Sequence, residues 1–208
     1  MIPSLLLNKL EQRILEISYK HGLSHLSSCL TSLPIILEIY QKLSIYDKFV
    51  LSSAHSGLAL YVVLEEYFGY NAEELFKNIG IHPLRRLSKQ INVSGGSLGS
   101  GILIATGMAI VNNHRNIHCL ISDGECAEGS VWEALRFINE HKLSNLKVYV
   151  NINGYSAYDK IDVEYLKKRL ISFSPEIIIR ETNVDRFPFL RGIDAHYYKL
   201  SKKDFEIK

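Results

Sequence analysis

The stretch from Ile117 to Ile152 constrains the fold more than any other part of the chain. Ile117–Ser122 is a short apolar run that stops at Asp123-Gly124, and Leu146–Ile152 is a second, β-branched run that stops at Asn153-Gly154. Between them, residues 129–141 carry apolar side chains at helical spacing. A strand, a helix and a strand at these distances form a βαβ unit, so the two strands run parallel. Ligands of parallel sheets sit at the carboxyl ends of the strands. Asp123 and Asn153 both fall at that end.

The flanking sequence extends the same plan to α/β, a parallel sheet flanked by helices. The spacing of Leu5, Leu6, Leu10, Ile14, Leu15 and Ile17 predicts a helix over 4–20, ended by His21-Gly22. A Ser-rich turn containing His25 leads to a predicted helix over 31–43, with Pro34 suited to its first turn. Residues 48–52 read as a strand, 58–67 and 72–78 as helices, and His82-Pro83 as a loop. A glycine-rich loop over 95–101 feeds an apolar helix at 102–111. The chain closes with a helix at 163–172, a strand at 176–180 and an aromatic-rich tail containing His196.

At roughly 150 residues per domain, 208 residues make a single domain spanning 1–208. Twenty-four basic and 22 acidic side chains leave +2, too little to wrap nucleic acid. Cys29, Cys119 and Cys126 are too few for a disulfide framework or a four-ligand zinc site, and they fit a reducing cytoplasm. The amino terminus has too short an apolar run for a secretory signal, and no stretch reaches the roughly 18 apolar residues of a membrane span. The expectation is a cytoplasmic protein that engages neither membrane nor nucleic acid.

Asp123 and Asn153 offer hard oxygen donors at neighbouring strand ends, the donor type that magnesium takes when it also holds phosphate oxygens. Asp-Gly and Asn-Gly are also ordinary turn dipeptides, and spacing does not choose between these roles. The 95–101 loop lets backbone approach an anion, but it lacks the Lys-Ser/Thr ending of a nucleotide P-loop. His25, His55, His82 and His196 fall in loops or at element starts, where they serve equally as proton shuttles or as solvated surface residues. Glu128 is either a site residue or a first-turn acid facing the helix dipole. Trp132 reads as a core or interface residue.

Taken in order, the motifs resemble the transketolase family. Ser122-Asp-Gly-Glu-Cys-Ala-Glu-Gly-Ser-Val-Trp-Glu-Ala134, Leu143-Ser-Asn-Leu146 and Asn151-Ile-Asn-Gly154 are similar to its thiamine-diphosphate motif. Leu51-Ser-Ser-Ala-His-Ser56, His82-Pro83, Gly96-Ser-Leu-Gly-Ser-Gly101 and Asp194-Ala-His196 match its other amino-terminal motifs and its closing tail. The resemblance implies a thiamine-diphosphate-binding fold of the diphosphate-binding type. It implies Asp123, Asn153 and the Tyr155 backbone carbonyl as ligands of Mg²⁺, with Ca²⁺ or Mn²⁺ able to stand in. His55, Gly96, Leu98, Asp123, Gly124, Glu125 and Asn153 would contact thiamine diphosphate. His25, His55, His82, Glu128 and His196 would serve catalysis.

Only the diphosphate-binding domain is covered by the resemblance. That implies a split transketolase whose pyrimidine-binding half is a separate polypeptide in an α₂β₂ heterotetramer. The implied reaction is transfer of a two-carbon ketol unit between sugars or sugar phosphates. Alternatives are another thiamine-diphosphate reaction, either aldehyde transfer from a 2-keto acid or 1-deoxy-ketose synthesis, and a cofactor-free regulatory subunit. Four departures stand out: Ser122 and Ala54 replace glycines, Ser27 and Ser28 replace paired glycines, and Asn151 replaces an aspartate. Serine at glycine turns restricts the backbone, so the expectation is a reshaped site with a narrowed substrate range.

Overall fold

The computed structural model describes residues 2–156 and 159–205. Strands β1 (Lys48–Leu51), β2 (Ile117–Ser122), β3 (Leu146–Ile152) and β4 (Ile178–Glu181) form one sheet in the order β1-β2-β3-β4, with every pair parallel. Successive side chains point to opposite faces of a strand. Val50, Ile117, Cys119, Ile121, Val148, Val150 and Ile152 therefore enter one core, and Phe49, Leu51, Leu120 and Tyr149 enter the other.

Each core is closed by its own helices. Helices α1 (Ser4–His21), α2 (Leu26–Tyr40), α3 (Gly57–Phe68) and α4 (Ala72–Ile79) pack on the Leu120 face. Helices α5 (Ser100–Val111), α6 (Gly129–Glu140) and α7 (Val163–Phe173) cover the other. The Asn92 amide donates to the Phe49 carbonyl at 2.9 Å, occupying a backbone acceptor on the edge strand β1. Asn145 donates to the carbonyls of Ala109, Asn112 and Arg115, which fixes the end of α5 against the start of β3.

The main departure from expectation is α2, which begins at Leu26 and so absorbs the Ser-rich segment. Pro34 sits inside the helix instead of in its first turn. Burial decides this, because Leu26, Cys29, Leu30 and Leu33 all enter the core and outweigh the turn preference of serine and the cost of an interior proline. Ser27 and Ser28 are thus helical, and neither Ser122 nor Ala54 has a positive φ. No glycine-only conformation is lost at these positions. The last strand starts at Ile178, two residues later than expected. Cys29, Cys119 and Cys126 are free and buried, and no helix among the described residues is long and apolar enough to cross a membrane.

Two glycines of α5 test the packing. A Cβ on Gly101 would lie 2.5 Å from the Ser52 Cα, whereas one on Gly107 would meet open space. Gly101→Ala should cost about 1–3 kcal/mol through overpacking. Gly107→Ala should add about 0.5–1 kcal/mol by removing a helix-interior glycine. Urea unfolding of both variants beside the parent checks the opposite signs.

Candidate functional site

The carboxyl ends of the strands open into a cavity of about 910 Å³. Asp123 follows β2 and Asn153 follows β3; pairing of Ser122 with Asn151 in the sheet sets them side by side. Asp123 is 2 % exposed. Its Oδ2 accepts from the Asn153 and Gly154 backbone N–H groups at 2.9 and 2.7 Å, and its Oδ1 accepts from Gly124 N–H at 3.0 Å. No ion pair to a cationic side chain accompanies this carboxylate among the described residues. Burial pushes its pKa up from 3.8 to about 6 against the pull of those hydrogen bonds. The Asn153 Oδ1 accepts from Tyr155 N–H at 3.0 Å, leaving a second lone pair on that oxygen.

A buried carboxylate short of positive charge, beside an amide oxygen, fits a divalent cation with hard oxygen ligands. Among the described residues no three His, Cys, Asp or Glu side chains cluster to hold a metal. A cation here would therefore rest on Asp123 together with amide and backbone oxygens.

The four histidines come together from four segments. His25 stands at the amino end of α2 with φ 64°, His55 in the turn Ala54–Ser56, His82 in the loop after α4, and His196 in the turn Ile193–His196. The ring centroids of His25 lie 5.6 Å from His55 and 4.5 Å from His196. Desolvation, then neighbouring imidazoles, lower His25 to about 4 and His55 to about 3; burial lowers His196 as well. These three rings are neutral near pH 7. The Ser24 hydroxyl lies 2.8 Å from His25 Nδ1, which leaves Nε2 for a ligand.

Gly96, Leu98, Gly124, Glu128 and Tyr155 also line the cavity. Glu125, expected at the cofactor, does not. It is wholly buried behind the wall, where its Oε1 accepts from the Ser52 hydroxyl at 2.6 Å and from Gly99 N–H at 3.0 Å. Its Oε2 accepts from Ser122 N–H at 3.0 Å. Trp132 packs outside the site, with its Nε1–H on the Cys126 carbonyl and the Arg169 guanidinium over its ring. The sequence pattern did not single out the tail residues Asn183, Asp185 and Arg191, which form part of the wall. Their segment has no periodicity, and Leu190, Ala195 and Leu200, with Phe187, Phe189 and Tyr198 against them, anchor it to the core.

Helices on both faces of a parallel sheet, with an acidic, histidine-lined cavity at the carboxyl ends of its strands, place the chain among the three-layer α/β domains. Residues 40–181 match the family model described as transketolase, thiamine diphosphate binding domain, and the chain belongs to the transketolase family. The transketolase of Homo sapiens is 30% identical over 202 residues, which cover 83% of this chain and 32% of that protein. A Phocaeicola vulgatus protein named as one subunit of apulose-4-phosphate transketolase is 28% identical over 195 residues, covering 82% of this chain and 69% of that one. The fold is that of the Campylobacter jejuni transketolase structure, with a TM-score of 0.76, 20% identity, and coverage of 98% of this chain and 42% of that one. The chain spans under a third of the length of the mammalian transketolases it matches.

Asp123 also sets a pH signature. Folding raises its pKa, so between about pH 4 and 6 the folded chain binds this proton more tightly than the unfolded chain. The stability it contributes is complete at low pH and is lost as the pH rises through about 6. Without added metal, the parent should lose about 1–3 kcal/mol of stability relative to Asp123→Asn between about pH 4 and pH 7.5, whatever the offset set by the amide's lost acceptor. Below about pH 4 that difference should stop changing in urea titrations run across pH.

Proposed function

We propose that this chain is the diphosphate-binding subunit of a two-subunit transketolase that transfers a two-carbon ketol unit from a ketose to an aldose. The observation that carries this proposal is the buried Asp123 carboxylate, short of a cation, beside Asn153 in a cavity where four histidines meet. The two-chain reading is supported by extent of match: alignment takes in 69% of a relative named as one subunit of its enzyme, against 32% of the human enzyme. The partner is a pyrimidine-binding chain, in an α₂β₂ assembly. Buried free thiols and the absence of a membrane-crossing helix among the described residues fit a cytoplasmic setting.

Asp123, Asn153 and the Tyr155 carbonyl would hold Mg²⁺, with Ca²⁺ or Mn²⁺ as substitutes, and Gly96, Leu98 and Gly124 would lie along thiamine diphosphate. When bound, the cofactor supplies the electron sink for breaking the carbon–carbon bond of the ketose. The protein's own work is positioning and proton handling. A neutral imidazole can donate from one ring nitrogen and accept at the other, so His25, His55 and His196 can bind sugar hydroxyls and relay protons near pH 7. Glu128, on the turn that opens α6, would face the partner's contribution to the site. Glu125 would hold the glycine loop, and any effect it has on the cofactor would pass through Gly99 and Ser122.

Calorimetry of this chain reconstituted with a pyrimidine-binding chain from the same genome tests the proposal. Thiamine diphosphate should bind only with a divalent cation present. Asp123→Ala should weaken that binding by at least about 100-fold, since loss of a direct ligand exceeds the usual effect of losing an outer-shell partner. A parent complex that binds no cofactor, or an Asp123→Ala complex with unchanged magnesium dependence, would refute it.

A further inference from the structure

A second cavity, of about 540 Å³, shares no lining residue with the one at the strand ends. Lys48 opens β1, Arg115 lies just before β2 and Arg85 comes from the loop after α4, and all three line this cavity. No carboxyl group lines it among the described residues. Asp47, next to Lys48, has its carboxylate taken up by the Asn116 and Ser44 backbone N–H groups at 2.9 and 3.1 Å. Arg13 is paired with Glu65 and Arg180 with Glu38, whereas Lys48, Arg85 and Arg115 have no ion pair among the described residues.

The sequence keeps the same sign around this cavity. Between Glu74 and Asp123 there is no acidic residue, while Lys77, Arg85, Arg86, Lys89 and Arg115 fall within that stretch. In a chain whose net charge is only +2, such a run concentrates positive potential on one region. Cations gathered without a counter-charge repel one another, and an anion from outside relieves the repulsion.

The rest of the wall is suited to a flat organic body. Leu87 and Ile104 stand exposed on it, and Met108 follows Ile104 one turn later on the same side of α5. Asn92 and Asn112 each give an N–H to a backbone carbonyl, of Phe49 and Met108, which leaves their amide oxygens as acceptors. Cations, an apolar wall and a few polar groups are the parts of a small-ligand pocket, and the volume falls in the usual range of roughly 300–1,000 Å³.

We propose that this cavity binds a nucleoside diphosphate, with the phosphates at Lys48, Arg85 and Arg115 and the base against Leu87, Ile104 and Met108. A diphosphate carries enough negative charge to answer all three cations, and a purine base brings an exocyclic amino group to the asparagine oxygens. The site is separate from the transketolase site proposed above and does not rest on that reading.

Calorimetry of the chain with ADP tests the proposal, in chelator so that no divalent cation draws a diphosphate to Asp123. ADP should bind, and Arg115→Gln and Lys48→Gln should each weaken it roughly 10- to 100-fold through loss of a charge-assisted hydrogen bond. Arg115→Lys should recover part of the loss by keeping the charge without the planar fork. Pyrophosphate, which lacks the base, should bind at least about tenfold more weakly than ADP, and Ile104→Ser should weaken ADP while leaving pyrophosphate within about twofold. Unchanged circular dichroism spectra and melting temperatures would confirm that the variants fold. No binding of ADP, binding indifferent to both charge variants, or pyrophosphate binding as tightly as ADP would overturn the assignment. So would ADP binding that disappears when the pyrimidine-binding chain is added, which would give this surface to the partner. Binding of thiamine diphosphate bears only on the function proposed above, so the two readings fail separately.

Discussion

The buried carboxylate of Glu125 is the tie on which the site depends. It receives the Ser52 hydroxyl from the end of β1, the Gly99 amide from the glycine-rich loop and the Ser122 amide from the end of β2. These groups belong to separate stretches of chain, and one acid gathers all three. Burial raises its pKa and the hydrogen bonds pull it down, so each lost donor would leave a costly unpaired acceptor in the interior. Because Gly99 precedes α5 and follows Leu98, the same contact places the loop that forms one wall of the cavity. A side chain at Gly99 would bring its Cβ within 2.3 Å of the Ser130 hydroxyl, and φ there is 73°, so the position requires glycine.

Glu125 also explains why Asp123 is short of a partner. Two acids separated by one residue are both buried at the same strand end, and neither is in an ion pair among the described residues. Low local dielectric makes their negative potential costly, and it falls also on the Cys126 thiol, whose pKa is pushed up to about 12 by burial first and then by both carboxyl groups. Such an arrangement is consistent with a site completed by a divalent ion, since the ion would supply the charge that the protein withholds. The histidine cluster would be compromised by protonation, because adjacent imidazolium ions would repel. Desolvation that keeps the rings neutral thus preserves both their packing and their capacity to accept protons.

The sheet and the side-by-side placement of Asp123 and Asn153 were legible in the sequence because both depend on local rules. Apolar runs that end in Asp-Gly and Asn-Gly, with a helix between them, fix parallel neighbours and the edge at which a ligand sits. The start of α2 was not legible: the serine-rich composition favours a turn, and only burial of Leu26, Cys29 and Leu30 against distant elements makes it helix. The direction of Glu125 was hidden for the same reason, since its three partners lie on elements whose approach is a tertiary fact. The tail was the least legible part. Phe187, Phe189, Leu190 and Tyr198 pack on the α1–α4 core without any helical or strand period, and they carry Asp185, Arg191 and His196 into the wall.

Two of the departures from the family pattern, Ala54 and Asn151, are absorbed by their neighbours. The methyl group of Ala54 is accommodated because Gly95 faces it; a Cβ on Gly95 would fall 2.3 Å from the Ala54 Cβ, so the two positions can hold one side chain between them. Asn151 is buried with its amide directed at the hydroxyls of Thr31 and Ser32 and its carbonyl oxygen accepting from the Thr182 hydroxyl at 2.5 Å. An uncharged amide meets these partners without adding a third buried negative charge near Asp123 and Glu125. Ala54 and Asn151 therefore act on the scaffold behind the cavity, whereas Ser27, Ser28 and Ser122 stand on its wall. A narrowed substrate range would then come from these three hydroxyl side chains, which add bulk and hydrogen-bonding groups to the wall where glycines would leave open backbone.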